Sequence, residues 1–223
     1  MAWAPPKVRG GLAVRCLWLL AGLVLFALGI VMLLESQLGL SPWDVLNQGI
    51  ANHTPLSFGL ANTAVALVVL VVAWALGATI GPGTVANAVV IGVSVDLLMR
   101  SDVLAGVGDS PLAVRVLVLA AGILVIGGAS ALYIGAAMGA GPRDSLMLVV
   151  AQRAHVRAGV SRTVIESLVT VVGFVLGGKV GVGTLAFAFG IGPAIEVSFW
   201  LLGRSPLAVR PRSEPVASTI GAG

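Results

Sequence analysis

Residues 12–44 read LAVRCLWLLAGLVLFALGIVMLLESQLGLSPWD, and residues 112–144 read LAVRVLVLAAGILVIGGASALYIGAAMGAGPRD. Both stretches open on Leu-Ala-Val-Arg and close on Pro-x-Asp. Between those marks lie about 20 apolar residues, enough for one helix to cross a bilayer. The same shift of 100 positions pairs Gly81, Gly83 and Thr84 with Gly181, Gly183 and Thr184, and no gap is needed. Roughly 30% of aligned pairs from Leu12 onward are identical, and matched Pro, Asp, Arg and Gly at one offset exceed what shared apolar composition produces. The chain is therefore an internal duplication.

Composition fixes the solvent. Of the 223 residues 58% are hydrophobic and 10% are charged, with mean hydropathy +1.06. Soluble domains carry about 25% charged residues, so this chain cannot cover a surface in water. The 30 glycines and 11 prolines interrupt apolar runs, as in broken or tightly packed membrane helices. The net charge of +4 comes from Lys and Arg that flank those runs without a dense basic patch. That argues for topology signals and against nucleic acid as a partner. A single cysteine, Cys16, leaves no internal disulfide and no cysteine-rich metal site. The first apolar run exceeds a signal-peptide core in length and has a counterpart from Val116 to Ile134, so it belongs to the mature fold.

Three spans are expected in each half: Cys16 to Leu38, Phe58 to Leu76 and Gly83 to Met99, then Val116 to Met138, Thr163 to Leu176 and Gly183 to Leu202. An odd number per half turns the second half over. The expected fold is an all-α membrane protein of about six transmembrane helices, built as two inverted three-helix repeats, each with a short interfacial or re-entrant helix. Its parts are an N-terminal tail (1–11), a first repeat (12–105), a second repeat (106–202) and a flexible C-terminal tail (203–223). Placing both termini in the cytoplasm puts ten of the 13 basic residues there, leaving Arg100, Arg115 and Lys179 outside. Arg143, Arg153, Arg157 and Arg162 form a topology-setting basic loop whose counterparts are Trp43, His53, Ser57 and Asn62.

Ser41-Pro42-Trp43-Asp44 and Gly141-Pro142-Arg143-Asp144 carry the chemistry of a helix start: a capping residue, a proline that needs no donor, and a carboxylate for free amides. Helices from Pro42 to about Asn52 and from Pro142 to about Arg153 are too short to cross a bilayer. Asp44 and Asp144 are either simple caps or the lining of a shared cavity toward which two half-helices point their positive ends. The turns with Gly81, Gly83 and Thr84, and with Gly181, Gly183 and Thr184, are expected to reverse the chain between helices, the glycines permitting the bend and the threonines capping the next helix. Gly77, Gly81, Gly173, Gly177 and Gly181 fall at the four-residue spacing of close helix contacts.

Four carboxylates lie in or beside the spans. Asp96 and Glu166 each have an arginine one turn away, Arg100 and Arg162, and are expected to pair with it. Glu35 approaches a helix end. Glu196 has no cation at helical spacing until Arg204, which makes it a candidate proton or cation site. The only histidines, His53 and His155, fall on opposite sides of the expected topology, too few for a histidine metal site or a nucleophile relay. No enzyme, metal or cofactor is expected.

Taken together, Leu-Ser-Pro-Trp-Asp-Val-Leu-Asn-Gln-Gly (40–49), Thr-Pro-Leu-Ser-Phe-Gly (54–59), Gly-Pro-Gly-Thr (81–84), Gly-Ala-Gly-Pro-Arg-Asp (139–144) and Gly-Val-Gly-Thr (181–184) resemble the bacterial YczE family, loosely related to the YitT membrane proteins. The resemblance runs from about Arg15 to Leu202 and implies a bacterial cytoplasmic membrane; it supplies no substrate. Inverted repeats, paired half-helix starts and an intramembrane carboxylate favour a small secondary transporter. The alternative is an accessory protein whose basic loop holds a cytoplasmic or membrane partner. Candidate partners are the lipid bilayer, a small-molecule or ion substrate, and a second copy of the chain as a homodimer.

Overall fold

The computed structural model describes residues 6–205 and 208–209. Eight α-helices follow one another: α1 (Leu12–Ser36), α2 (Pro42–His53), α3 (Phe58–Ala75), α4 (Pro82–Arg100), α5 (Leu112–Gly135), α6 (Pro142–Arg153), α7 (Ala158–Val175) and α8 (Val182–Arg204). All but α2 and α6 are long and apolar enough to cross a membrane, which gives six spans. Leucines, valines and aromatics are exposed along these six helices, as lipid-facing surfaces require. The expected starts at Pro42 and Pro142 are the observed ones. The fifth span begins at Ala158, earlier than expected from hydropathy, because Arg162 and Glu166 ride on the helix as a 2.9 Å ion pair.

The centre is a seam of α1 against α5. Gly22 faces Ala129 and Tyr133, while Gly29 faces Gly122 and Ile126, so the two helices run antiparallel. A β-carbon on Gly22 would stand 2.8 Å from the Tyr133 amide nitrogen. Glycine is needed here for approach, since no side chain fits between the backbones. Around the seam α4 packs on α1 and α8 on α5. The short helices cross over, α2 lying mainly on α7 and α6 mainly on α3.

Ends of helices in one half are closed by the other half. Arg15 donates to the carbonyls of Ala136 (2.7 Å) and Ala137 (2.5 Å), just past α5, and Arg115 donates to Ser36 (2.8 Å) and Gln37 (3.1 Å) at the end of α1. A guanidinium there satisfies orphan carbonyls and opposes the negative end of the helix dipole. The Gly-x-Gly-Thr turns work the same way. The Gly83 amide donates to Met138 O (2.9 Å) and Gly183 to Leu38 O (2.8 Å), while Thr84 and Thr184 accept from the amides of Gly81 and Gly181 (both 3.2 Å). Gly81 and Gly181 have ordinary negative φ (−107° and −162°), so the expected bend lies elsewhere, at Gly77 (φ 92°) and Gly177 (φ 76°). Gly81 and Gly181 are small because the carbonyls of Met138 and Leu38 press on them.

Lys7–Val8 and Ala208–Val209 form a short antiparallel ladder, so the two ends meet on one face. The tail expected from residue 203 starts later, since α8 runs to Arg204. Its residues 206–207 and 210–223, which include Arg210 and Arg212, lie outside the described residues.

If the cross-half caps hold the ends together, Arg15→Ala and Arg115→Ala should each cost about 1–2 kcal/mol, with lysine restoring only part because it lacks the planar fork. Thermal melts of the purified protein in detergent read this out; unchanged melting in both variants would refute the caps.

Candidate functional site

The starts of α2 and α6 come together. Ser41, Pro42, Trp43 and Asp44 from one half, and Gly141, Pro142, Arg143 and Asp144 from the other, line a single cavity of about 230 Å³. Its apolar walls come from α1 and α5 (Phe26, Ile126) and from α8 (Phe187, Ile191), and its polar walls include Asn62, Asn87, Ser130 and Tyr133. Prolines at the first helical positions fix how each short helix begins, so the carboxylates three residues after each cap are presented from rigid backbone.

A chain of polar contacts crosses between the halves. Asp44, 1% exposed, is held by the hydroxyl of Ser41 and by Asn47 Nδ2 at 3.3 Å. Asn47 also donates to Asn62 Oδ1 (2.9 Å), and that oxygen accepts from Arg143 at 2.6 Å. The Arg143 guanidinium lies 5.2 Å from the centroid of Trp43, within cation–π range. Asp144 accepts from the Tyr133 hydroxyl at 3.1 Å. Arg143 lies in the field of both aspartates, yet among the described residues the ion pair within 4 Å is Arg162–Glu166. The central charges are thus held by neutral donors and acceptors and a ring, not by one another. Among the described residues two buried polar atoms, Trp43 Nε1 and Asn47 Oδ1, have no hydrogen-bond partner.

These placements sort the expected site residues. Asp44 and Asp144 meet at the cavity with Ser41, Pro42, Gly141 and Pro142. The hydrogen bonds to both carboxylates come from side chains, where backbone amides were expected. Glu196 does not join them: it is exposed on α8 and lines no part of the cavity. Asp96 does not pair with Arg100; it accepts from Ser57 Oγ and from the Gly59 amide (2.8 Å), clamping α4 onto the start of α3. Of the basic loop, Arg143 is a cavity residue, Arg153 caps α3 through Leu76 O (2.9 Å) and Arg162 pairs with Glu166, leaving Arg157 on the surface. Among the described residues no three His, Cys, Asp or Glu side chains group as metal ligands.

Tyr133, Asn62 and Asn47 were missed. Tyr133 is the chain's only tyrosine, and Asn62 aligns with Arg162 in the repeat. Two polar residues at one aligned position, each near the start of an apolar helix, were the signal available.

The fold and site define a multi-pass helical membrane protein with an internal charged cavity at the junction of its halves. It belongs to a family of unknown function, DUF6198, which matches residues 13–199. It is similar to an uncharacterised protein of Haemophilus influenzae, 36% identical over 82% of this chain and 85% of that one. An uncharacterised membrane protein of Bacillus subtilis, YczE, is 28% identical over 92% of this chain and 98% of its own length. A second B. subtilis protein, YyaS, also uncharacterised, is 26% identical over 74% and 82% of the two chains. No solved structure shows a significant match.

Asn62 joins Arg143 to Asn47, so Asn62→Leu should lower stability by about 2–3 kcal/mol by stranding a buried cation. Asn87→Leu, on the same wall but outside that chain of bonds, should cost less than about 1 kcal/mol. Equal losses in denaturation melts would remove Asn62 from its bridging role.

Proposed function

We propose that the chain is a small secondary transporter of the bacterial cytoplasmic membrane, with both termini in the cytoplasm and its two halves inserted in opposite orientations. The observation that carries this reading is the meeting of two helix starts, one from each half, at one charged cavity. Inverted-repeat transporters hold their solute between such half-helix ends. The antiparallel seam of the matched helices α1 and α5 supports opposite insertion, and the ladder between the ends supports termini on one side. Arg153, Arg157 and Arg162 favour the cytoplasm for the loop after α6; Arg143, inside the cavity, does not bear on sidedness.

The cavity's chemistry narrows the solute. With Arg162 and Glu166 paired, two aspartates remain against Arg143, so the favoured solute carries a positive group. A volume of about 230 Å³ is below that of drug-sized pockets, about 300–1,000 Å³. The class that fits is a small amine or amino-acid zwitterion, its amine between the carboxylates and an acidic group on Arg143. The solute crosses unchanged; no catalytic group is invoked. The accessory reading draws less support, because three of the four loop arginines are engaged within the molecule.

Reporter fusions at Asn52 and Arg153 should report opposite sides of the membrane, and the same side would refute opposite insertion. In proteoliposomes loaded with buffer alone, a panel of radiolabelled amino acids and small amines should include one that accumulates. Asp144→Asn should cut that uptake about tenfold at equal protein level, as loss of one charge-assisted contact implies. Uptake of none of them by folded protein would return the reading to an accessory role.

A further inference from the structure

The halves match in sequence but not in how they close. α3 and α4 pack along their length, whereas α7 and α8 make no comparable contact. The spans show the consequence: 50% of α3 is buried against 11% of α7. Four residues, with Ser57 as a partner of the last, shape the closest part of the α3–α4 contact. Gly59 and Gly92 bring their backbones together so closely that a β-carbon on either would overlap the other's carbonyl, and Thr63 lies against Gly92. Asp96 completes it by accepting from Ser57 Oγ and from the Gly59 amide.

The 100-residue shift carries all four into the second half as Gly159, Thr163, Gly192 and Glu196. There, among the described residues, no comparable contact between the two helices forms. A β-carbon on Gly159 or on Gly192 would meet no atom within 4 Å, and Thr163 and Glu196 are exposed. The start of α7 also has no side-chain cap; Arg157 stands at the capping position where α3 has Ser57. Two exposed glycines at the matching positions of α7 and α8, a carboxylate at the matching turn and an uncapped helix start have no use in the arrangement observed. Each has one in a closed arrangement.

We infer that the protein has a second state in which α7 closes on α8 through Gly159, Thr163, Gly192 and Glu196, as α3 closes on α4. The Glu196 carboxylate then accepts from the amides at the start of α7, an acid at the positive end of a helix, and lies beside the Arg157 guanidinium. Closure seals the side of the cavity flanked by Arg162 and Glu166 of α7 and Phe187, Ile191 and Ile195 of α8. The occupant of the exposed faces of α7 and α8 is thus each other. The inference rests on the proposed solute site for its purpose, but closure itself is measured without transport.

The test uses spin labels at Val160→Cys and Val197→Cys in a Cys16→Ser background, all in the full chain in lipid, with Leu60→Cys and Leu97→Cys as the closed reference. All four label positions are exposed, so labels leave the packing intact. The 160–197 pair should show two distances, the shorter matching the 60–97 pair. Gly192→Leu should leave the fold and melting temperature unchanged, because that site is open, and reduce the short-distance fraction by about tenfold; Glu196→Gln should reduce it by roughly fivefold. A single long distance that neither variant alters would overturn the inference. So would a short distance seen between singly labelled Val160→Cys chains, which would mean that a second copy fills the gap. If the distances behave as expected while no solute is taken up, the transporter reading fails and the gate stands.

Discussion

A helix that stops inside a membrane protein leaves carbonyls and amides that lipid cannot satisfy. Here the breaks after α1 and α5 are met from across the molecule, Arg115 and Gly183 serving the end of α1 and Arg15 and Gly83 the end of α5. Each half thus closes the end of the other's first helix. The arrangement frees the chain to place α2 and α6 as short helices with their starts turned inward, and the cavity exists because those two starts meet. The glycine seam follows from the same need, since arginines can reach the opposite ends only if α1 and α5 lie close and antiparallel.

Much of this was legible in the sequence. The repeat offset, the starts at Pro42 and Pro142 and the six spans are written in local patterns: hydropathy reports length, and proline reports a helix start whatever surrounds it. The Leu-Ala-Val-Arg motif marked the repeat, but its purpose was hidden, because a bond from Arg15 to Ala136 spans 121 positions. Asp96 shows the limit most clearly. Helical spacing offered Arg100, one turn away, and the fold instead supplied Ser57 and Gly59 from α3. Hydropathy also says that Arg143 and Glu196 adjoin spans without saying which way they face. One is inside the cavity and the other on the outer surface of α8.

The cavity keeps its charges apart through the neutral groups around them. Breaking a buried pair of opposite charges costs about 3–5 kcal/mol. Under the transporter proposal, a solute that had to break such a pair would bind weakly. Asn62, Tyr133, Ser41 and Asn47 instead hold Arg143 and the two aspartates without a direct ion pair among the three, so on the transporter reading a solute's charges would meet them without breaking one. Trp43 has a double part, its ring under Arg143 and its buried N–H without a partner among the described residues.

The ladder at the ends has a meaning that the repeat makes plain. Val8 pairs with Ala208, and the 100-residue shift sends both to position 108, the middle of the segment that joins α4 to α5. Gly108 leans on Gln37 beyond α1, just as Val8 leans on Gly135 at the end of α5. One junction between the halves is therefore covalent and the other, its equivalent, is four residues of paired strand. The strand pair thus sits at the end of α5 as the α4–α5 linker sits at the end of α1, the same support built once from two distant segments and once from a continuous one.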